Sequence, residues 1–235
     1  MPRSSKPLTP TLIAYGDSAI LIQYKLVKSE RPFSKTVNQN VQALATSLRR
    51  ADDWLEIVPA YDSLLCVFDL TKISPETAKD TLKNHLQSVE VTPNPEPNII
   101  EIPIVYGGDY GPDMEAIKKT NQLSEADVIN LHASQPYDVC MMGFIPGFAF
   151  LSEAPAKLHH PRHASPRQLV PAGSVGIAGW QTGIYGLDSP GGWQIIGRTP
   201  LRLFDKSRQN PFLIKAGDQI RFVPIGPQDF HEVSP

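Results

Sequence analysis

The chain has 235 residues, of which 41% are hydrophobic, so it is long enough for one large domain or two domains of moderate size. A formal net charge of −2 at pH 7 argues against a nucleic-acid-binding protein, and no apolar run approaches the roughly 18 residues that spanning a membrane requires. Residues 1–7 lack the apolar core of a signal peptide, and Cys66 and Cys140 lie in apolar segments, which indicates buried thiols in the cytoplasm.

The first region, which we place at residues 1–92, combines short strands with two helices. Its apolar segments predict strands at residues 12–14, 19–22, 55–58 and 63–68. One helix has Ser34 as its N-cap, and the other begins in the Ser-Pro-Glu sequence at residues 74–76. The buried stripe of the first helix is predicted to consist of Val37, Val41, Leu44 and Leu48. We interpret the order as β-α-β-β-α, which predicts a ferredoxin-like α/β domain.

Three prolines within residues 91–98 predict a stiff linker, and we place the second domain at residues 93–235. After an apolar strand, a helix is predicted to start at Ser124, with Asp127 in an approximate capping box. From Tyr137 onward, short apolar runs are broken by glycine and proline, which is typical of an all-β barrel with long loops. The fold class predicted for the whole chain is therefore α+β.

Half of the 16 glycines fall within residues 171–200. Such density is typical of tight turns, close backbone approach or N–H groups that face a ligand. The spacing matches neither a P-loop nor the dinucleotide-binding fingerprint, and Ser174 does not lie in a nucleophile elbow. A binding surface is favoured because polar and cationic side chains lie among the glycines, namely Gln181, Thr182, Tyr185 and Arg198.

A second unusual run, residues 141–151, places three phenylalanines around a Pro-Gly turn. A buried strand explains part of it, but Phe144 and Phe148 are also suited to wall an apolar ligand pocket. The following loop carries Arg162 and Arg167, whose guanidinium groups suit a carboxylate or phosphate. Solvated surface charges are the simpler interpretation of that loop.

The histidines offer two further candidates. His159, His160 and His163 lie beside cationic residues in a proline-bearing loop, so a solvated loop is favoured and no metal site is predicted. His132 lies near the end of the helix that starts at Ser124 and is a candidate general base. A helix-terminal cation or a packed ring are the alternatives for His132.

Several blocks of the chain together resemble one family, which comprises the B subunit of bacterial 5-oxoprolinase, the kinase A inhibitor KipI and the allophanate hydrolase subunit 1 group. The most specific blocks are residues 143–148, 161–162, 166–167, 170–179, 181–185 and 189–193. Weaker ones are residues 16–19, 58–61 and 106–113. The resemblance extends over about residues 12–225.

This resemblance implies a ferredoxin-like domain followed by a cyclophilin-like β-barrel. It implies the B subunit of a 5-oxoprolinase complex, whose other members are a homologous C subunit together with an A subunit. Such a complex uses ATP to hydrolyse 5-oxo-L-proline to L-glutamate.

Which of the subunits binds ATP stays open, and we expect the isolated chain to be inactive. A KipI-like inhibitor of a sensor histidine kinase is the alternative function, and a peptidyl-prolyl isomerase is suggested by fold class alone.

The implied chemistry assigns candidate roles to residues. Phosphorylating the lactam oxygen creates a leaving group, so the site needs donors for developing oxyanions and a cationic clamp for the substrate carboxylate. The candidate clamps are Arg167 and Arg198, and the candidate donors are Gln181, Thr182 and the glycine-loop amides. Tyr185 is a candidate to orient substrate or move a proton. The candidate catalytic residues are Gln181, Tyr185 and His132, and Phe144, Phe148 and Trp193 join the substrate-binding set. Gly186 stands where the family has proline, which predicts a looser turn.

Overall fold

The computed structural model describes residues 10–25, 34–88 and 99–231. The chain divides into two compact units, Met1–Asn94 and Pro95–Pro235, and each has its own hydrophobic core. The predicted linker at residues 91–98 and the boundary after residue 92 lie outside the described residues. Within the described ranges, no helix combines the length and apolar character that crossing a membrane requires.

The first unit is a four-stranded sheet with two helices packed on it. The elements are β1 (Thr11–Ala14), β2 (Ala19–Gln23), α1 (Lys35–Leu48), β3 (Trp54–Pro59), β4 (Ser63–Phe68) and α2 (Pro75–Ser88). Ser34 caps α1 as predicted, because its hydroxyl accepts a hydrogen bond from the Val37 N–H at 3.4 Å. All four predicted stripe residues of α1 are buried in one core with Leu64, Cys66 and Phe68 of β4.

The strand order of this sheet is β1-β2-β4-β3, and neighbouring strands are antiparallel. The β-α-β-β-α order is found from β2 onward. Strands β1 and β2 coincide with the strands predicted at residues 12–14 and 19–22, and they pair as an antiparallel hairpin, so β1 occupies the sheet edge beside β2. Gly16 makes this hairpin turn possible, since its φ of +66° is in the left-handed region that favours glycine. A closing strand directly after α2 would fall outside the described residues.

The second unit is built around a closed barrel. In chain order its elements are β5 (Ile99–Tyr106), α3 (Met114–Asn121), α4 (Glu125–Ala133), β6 (Tyr137–Met142), β7 (Ala149–Glu153), β8 (Arg167–Val170), β9 (Ser174–Ala178), β10 (Gln181–Ile184), β11 (Ser189–Gly191), β12 (Gln194–Arg198) and β13 (Gln219–Pro224). The barrel closes in the order β10-β7-β6-β13-β5-β12-β9. Strands β5 and β13 are parallel, and β8 and β11 form a separate antiparallel ribbon. The mixed α+β class with a barrel is therefore confirmed.

Helix α4 begins with the predicted capping box. The Ser124 N–H donates to Asp127 Oδ2 at 3.0 Å, and the Asp127 N–H donates to Ser124 Oγ at 3.1 Å. These bonds satisfy two N–H groups that a helix start leaves without intrahelical partners. The helix then packs against β13 and carries His132 into the barrel core.

Both cysteines are buried, as predicted. Cys66 faces the core of the first unit, and burial raises the pKa of its thiol to about 12. A thiol with so high a pKa is a poor nucleophile near neutral pH. Cys140, on β6, is fully buried as well.

Alternation along the barrel strands separates two sets of buried side chains. Inward-facing residues of β7, β9, β10 and β12 form the barrel core, including Ala149, Leu151, Val175, Ile177, Ile184 and Ile196. A second buried group, the outer cluster, consists of Phe148, Val170, Ala178, Tyr185, Trp193 and Ile195, with Ile145 and Phe150 packed against it. Most of these residues directly adjoin barrel-core residues in the chain. Because successive strand residues point to opposite faces, the outer cluster lies on the outside of the barrel wall.

Candidate functional site

A pocket of about 290 Å³ opens in the outer cluster. Its aromatic walls are formed by Phe144, Phe148, Phe150, Tyr185 and Trp193. Arg162 and Pro166 of the loop before β8, together with residues 190–192 at β11, complete the lining. This volume is at the small end of the range for small-molecule sites, so the pocket suits a compact ligand with an apolar ring.

Phe148 is the centre of the aromatic wall. It is only 1% exposed, and its ring centroid lies 4.5 Å from that of Phe150, 4.8 Å from Tyr185 and 5.6 Å from Trp193. The contacts with Tyr185 and Trp193 are edge-to-face, a geometry that the ring quadrupoles favour. The structure therefore brings the predicted residues Phe144, Phe148, Tyr185 and Trp193 together in one pocket.

The glycines of β9, β10 and β11 make room for these rings. A Cβ on Gly176 would lie 3.0 Å from Trp193 Cβ, and one on Gly183 would lie 3.1 Å from the indole ring. A Cβ on Gly191 would overlap with the Tyr185 hydroxyl. In the glycine-dense stretch, the aromatic side chains thus pack directly on strand backbone that carries no side chains.

Two of the glycine N–H groups considered as ligand donors are used within the fold. The Gly173 N–H donates to the Tyr185 carbonyl at 2.8 Å, and the Gly179 N–H donates to the His160 carbonyl at 2.7 Å. These two amides are therefore not available to a developing oxyanion.

The backbone at Gly186 packs tightly against the turn at Pro146 and Gly147. A Cβ on Gly186 would overlap with the carbonyl oxygen of Pro146 and with Gly147. The backbone after Tyr185 therefore packs directly against the Pro-Gly turn of the phenylalanine run. Glycine permits this close approach, because it carries no side chain.

The structure places Arg162 at the pocket and the two predicted clamps elsewhere. The Arg162 guanidinium lies 5.6 Å from the Trp193 ring centroid. Arg167 Nη2 instead donates to Asp113 Oδ1 at 2.6 Å. Arg198 Nε donates to the Ala172 carbonyl at 2.8 Å, and its guanidinium lies 5.8 Å from the centre of the Phe230 ring. Arg162 belongs to one of the sequence blocks that carry the family resemblance, residues 161–162, and this was the sequence signal that pointed to it.

Tyr185 is almost completely buried behind β11. Burial raises the pKa of its phenol, an effect that the Trp193 N–H and the charges of Arg162 and Arg167 oppose. The hydroxyl therefore keeps its proton near neutral pH. It is suited to donate a hydrogen bond to a ligand in the pocket rather than to accept a proton from it.

His132 and Thr182 meet inside the barrel core, away from the pocket lining. His132 Nε2 lies 2.9 Å from Thr182 Oγ1, and the Thr182 hydroxyl donates to the Gly176 carbonyl at 3.0 Å. Nε2 must therefore carry the proton, and Nδ1 accepts from the Tyr106 hydroxyl at 2.8 Å. Burial lowers the pKa of His132 to about 3, so the ring is neutral. This geometry fits a packed ring, one of the alternatives for His132.

Gln181 begins β10 and is half-buried. By strand alternation it shares the outward face of Gly183, but it is not among the residues that line the pocket. The three loop histidines contact different groups, which are the Trp180 ring for His159, the Thr120 hydroxyl for His160 and Arg167 for His163. Among the described residues, no group of three or more His, Cys, Asp or Glu side chains could hold a metal ion.

The chain is similar in sequence to a known domain family and to two bacterial enzyme subunits. A family model described as carboxyltransferase domain, subdomain C and D, matches residues 10–214. The chain is 40% identical to the 5-oxoprolinase B subunit of Bacillus subtilis (strain 168) over 228 residues, which cover 92% of this chain and 93% of the relative. It is 40% identical to the 5-oxoprolinase B subunit of Escherichia coli O157:H7 over 209 residues, which cover 89% and 93%.

The fold is also similar to a solved structure. The crystal structure of TTHA0988 in space group P212121 matches 89% of this chain with a TM-score of 0.77 and 34% sequence identity. This chain spans 40% of the length of that protein. The matching fold is thus found there as part of a longer polypeptide.

Proposed function

Since the chain belongs to the family of the carboxyltransferase domain, subdomain C and D, and to that of the bacterial 5-oxoprolinase B subunits, we propose that it is the B subunit of an ATP-dependent 5-oxoprolinase complex. That complex converts 5-oxo-L-proline to L-glutamate. The supporting observation in the structure is the small aromatic pocket with the Arg162 guanidinium at its wall. The substrate has a flat lactam ring, which suits the aromatic walls, and one carboxylate, which suits the Arg162 guanidinium.

The pocket residues divide naturally between the two parts of the substrate. The rings of Phe148 and Trp193 would hold the apolar edge of the lactam, with Phe144 at the rim. Arg162 would bind the carboxylate, because a guanidinium forms strong charge-assisted hydrogen bonds with carboxylates. The protonated hydroxyl of Tyr185 would donate to a substrate oxygen and orient the ring.

The remaining candidates act at a greater distance in this proposal. Arg167 is bound to Asp113, and Arg198 is bound to the backbone of Ala172, so neither is assigned to the substrate carboxylate. His132 and Thr182 hold the inside of the barrel wall to which Gly176 belongs. Gln181, on the outward face of β10, stays a candidate at the edge of the site.

ATP supplies the chemical activation of the lactam in this proposal, but the lining of this pocket does not fit a triphosphate. The pocket walls are mainly apolar, and the N–H groups of Gly173 and Gly179 are already paired. A nucleotide site needs several N–H donors or cations directed at the phosphates. We therefore place ATP on another member of the complex.

The partners in this proposal are a homologous C subunit together with an A subunit, which complete the site. Phe144 is 66% exposed at the pocket rim, as expected of a surface that a partner covers. The match to part of a longer protein agrees with a unit that works beside further domains. Within this proposal, residues 1–92 form a ferredoxin-like domain, residues 93–235 form a cyclophilin-like domain, and the complex is cytoplasmic.

The test is reconstitution. The chain is co-expressed with candidate A and C subunits, and ATP hydrolysis is measured with and without 5-oxo-L-proline. Hydrolysis that depends on both 5-oxo-L-proline and this chain is expected. An assembled complex without that activity would contradict the proposal. If the chain then inhibited autophosphorylation of a sensor histidine kinase, the KipI-like alternative would be supported instead.

A further inference from the structure

We propose that Asp113 is a positioning residue for the pocket. Through Arg167 and His163, it holds the loop of residues 161–166, which presents Arg162 and Pro166 to the ligand. The proposal rests on the proposed function only for the identity of that ligand. The role of the loop anchor is independent of the reaction.

The Asp113 carboxylate is buried, with 6% of its side chain exposed, and both of its oxygens are bound. Oδ1 accepts from Arg167 Nη2 at 2.6 Å and lies 3.2 Å from His163 Nε2. Oδ2 accepts from the Ile195 N–H at 2.6 Å, and the Asp113 N–H donates back to the Ile195 carbonyl at 2.9 Å. Asp113 is therefore fixed to barrel strand β12 and presents one oxygen to the loop.

Further hydrogen bonds connect Asp113 to residues that line the pocket. Arg167 Nη1 lies 2.8 Å from His163 Nε2, so Asp113, Arg167 and His163 form one closed cluster. The His163 N–H donates to the carbonyl of Gly192, a pocket-lining residue, at 2.8 Å. At the other end of the loop, Gln194 Nε2 donates to the Pro161 carbonyl at 3.0 Å. Arg162 lies between these two attachments.

The charges explain why a carboxylate is needed at position 113. Arg162 lies in the loop and Arg167 begins β8 directly after it, and the charges of both act on Tyr185. The Asp113 carboxylate is buried whereas 32% of the Arg167 side chain is exposed, so the ion pair balances a buried negative charge that would be costly if it were unpaired. Without the carboxylate, Arg167 would lose its partner and turn toward solvent. The loop would then no longer hold Arg162 over Trp193.

The experiment uses Trp193 as a reporter. The protein has three tryptophans, so Trp54→Phe and Trp180→Phe leave Trp193 as the sole emitter. Asp113→Asn is compared with Asp109→Asn, which changes an exposed aspartate four residues away. Tryptophan emission and acrylamide quenching are measured on the chain, and kcat and KM for 5-oxo-L-proline are measured on the co-expressed complex.

Asp113→Asn is expected to shift Trp193 emission to the red, increase quenching and raise KM about tenfold while kcat changes less than twofold. Asp109→Asn is expected to match the parent protein in every measurement. A folded Asp113→Asn protein with unchanged emission and unchanged KM would overturn the proposal. If the parent complex has no activity, the proposed function fails, and Trp193 emission alone decides the positioning role.

A second variant covers the case in which Asp113→Asn does not fold. Arg167→Lys keeps the positive charge, but an ammonium group lacks the planar fork that reaches Asp113 and His163 together. It is expected to shift Trp193 emission in the same direction by a smaller amount. Unchanged emission in a folded Arg167→Lys protein would also overturn the proposal.

Discussion

At the scale of single residues, Phe144 shows how the pocket rim is shaped. Its φ of +68° lies in the left-handed region, which non-glycine residues rarely adopt, and 66% of the residue is exposed. Its ring still meets Phe148 edge-to-face at a centroid distance of 5.7 Å. A strained backbone that displays an aromatic ring at a pocket mouth suggests that the ring serves binding more than stability.

We expect Phe144→Gly to weaken substrate binding while leaving the stability of the fold nearly unchanged. Glycine relieves the left-handed strain but adds freedom to the unfolded chain, so the free energy of unfolding should change by less than about 1 kcal/mol. KM for 5-oxo-L-proline should rise in the assembled complex. Gln122→Gly is the matched control, because Gln122 has a φ of +54° at the end of α3, outside the pocket lining. A large loss of stability in Phe144→Gly alone would contradict this account.

A second residue-scale prediction concerns His132. Its folded-state pKa is lowered to about 3, below the unfolded value near 6.5, so the unfolded chain takes up the proton first as the pH falls. Stability from this group is fully present above pH 6.5 and is lost toward pH 3. Urea unfolding should show a loss of about 2 kcal/mol between pH 7 and pH 5 that His132→Gln lacks. His231→Gln, at an exposed position, should keep the wild-type slope; equal slopes in all three proteins would refute the assignment.

At the scale of elements, the outer face of the barrel wall is unusual because several of its strand positions carry no side chain. Gly176 and Gly183 are direct partners across β9 and β10, and Trp193 packs against both. Gly191 of β11 lets the Tyr185 hydroxyl approach the strand backbone. Glycine usually weakens a strand, so its use here indicates that ring placement outweighs strand stability.

Neighbouring glycines of the β11 segment provide a sharp prediction. Gly191→Ala would place a methyl group against the Tyr185 hydroxyl, and overpacking of a buried site costs about 1–3 kcal/mol. In Gly192→Ala the nearest atoms would lie at 3.8 Å, an ordinary contact distance. Thermal unfolding should therefore show a lower Tm for Gly191→Ala and a nearly unchanged Tm for Gly192→Ala. Equal Tm values would show that Tyr185 is not held by β11.

Local sequence patterns predicted the helix starts well, because a helix cap depends on residues close together in the chain. The Ser34 cap and the capping box of Ser124 and Asp127 depend on residues three positions apart, and both form. The role proposed for Asp113 was not predictable in this way. Asp113 and Arg167 are 54 positions apart in the chain, and their ion pair exists only after the barrel closes. The burial of His132 likewise depends on distant barrel residues such as Phe222.

At the scale of the whole molecule, the second unit contains two separate buried assemblies on opposite faces of one barrel wall. The inner one stabilises the barrel, and the outer one forms a pocket with an exposed aromatic rim. A pocket on an outer surface can be closed by another protein without any rearrangement of the barrel. This arrangement favours a site that is completed by assembly.

It follows that the isolated chain should not hydrolyse 5-oxo-L-proline, with or without ATP. Activity should appear only when the A and C subunits are added, and it should saturate as they are titrated. L-Glutamate formation followed by chromatography is the measurement, with the partner subunits alone as the control. Turnover by the isolated chain would contradict assembly of the site from several subunits.

Steady-state kinetics of the assembled complex test the claim that the outer pocket binds the substrate through Arg162. Arg162→Gln removes the cation, and the loss of one charge-assisted interaction of about 1.5–3 kcal/mol corresponds to a rise in KM of roughly ten- to a hundredfold. Arg221→Gln, on the exposed side of β13, is the matched control and should keep the wild-type KM. An unchanged KM for 5-oxo-L-proline in the Arg162→Gln complex would contradict the claim.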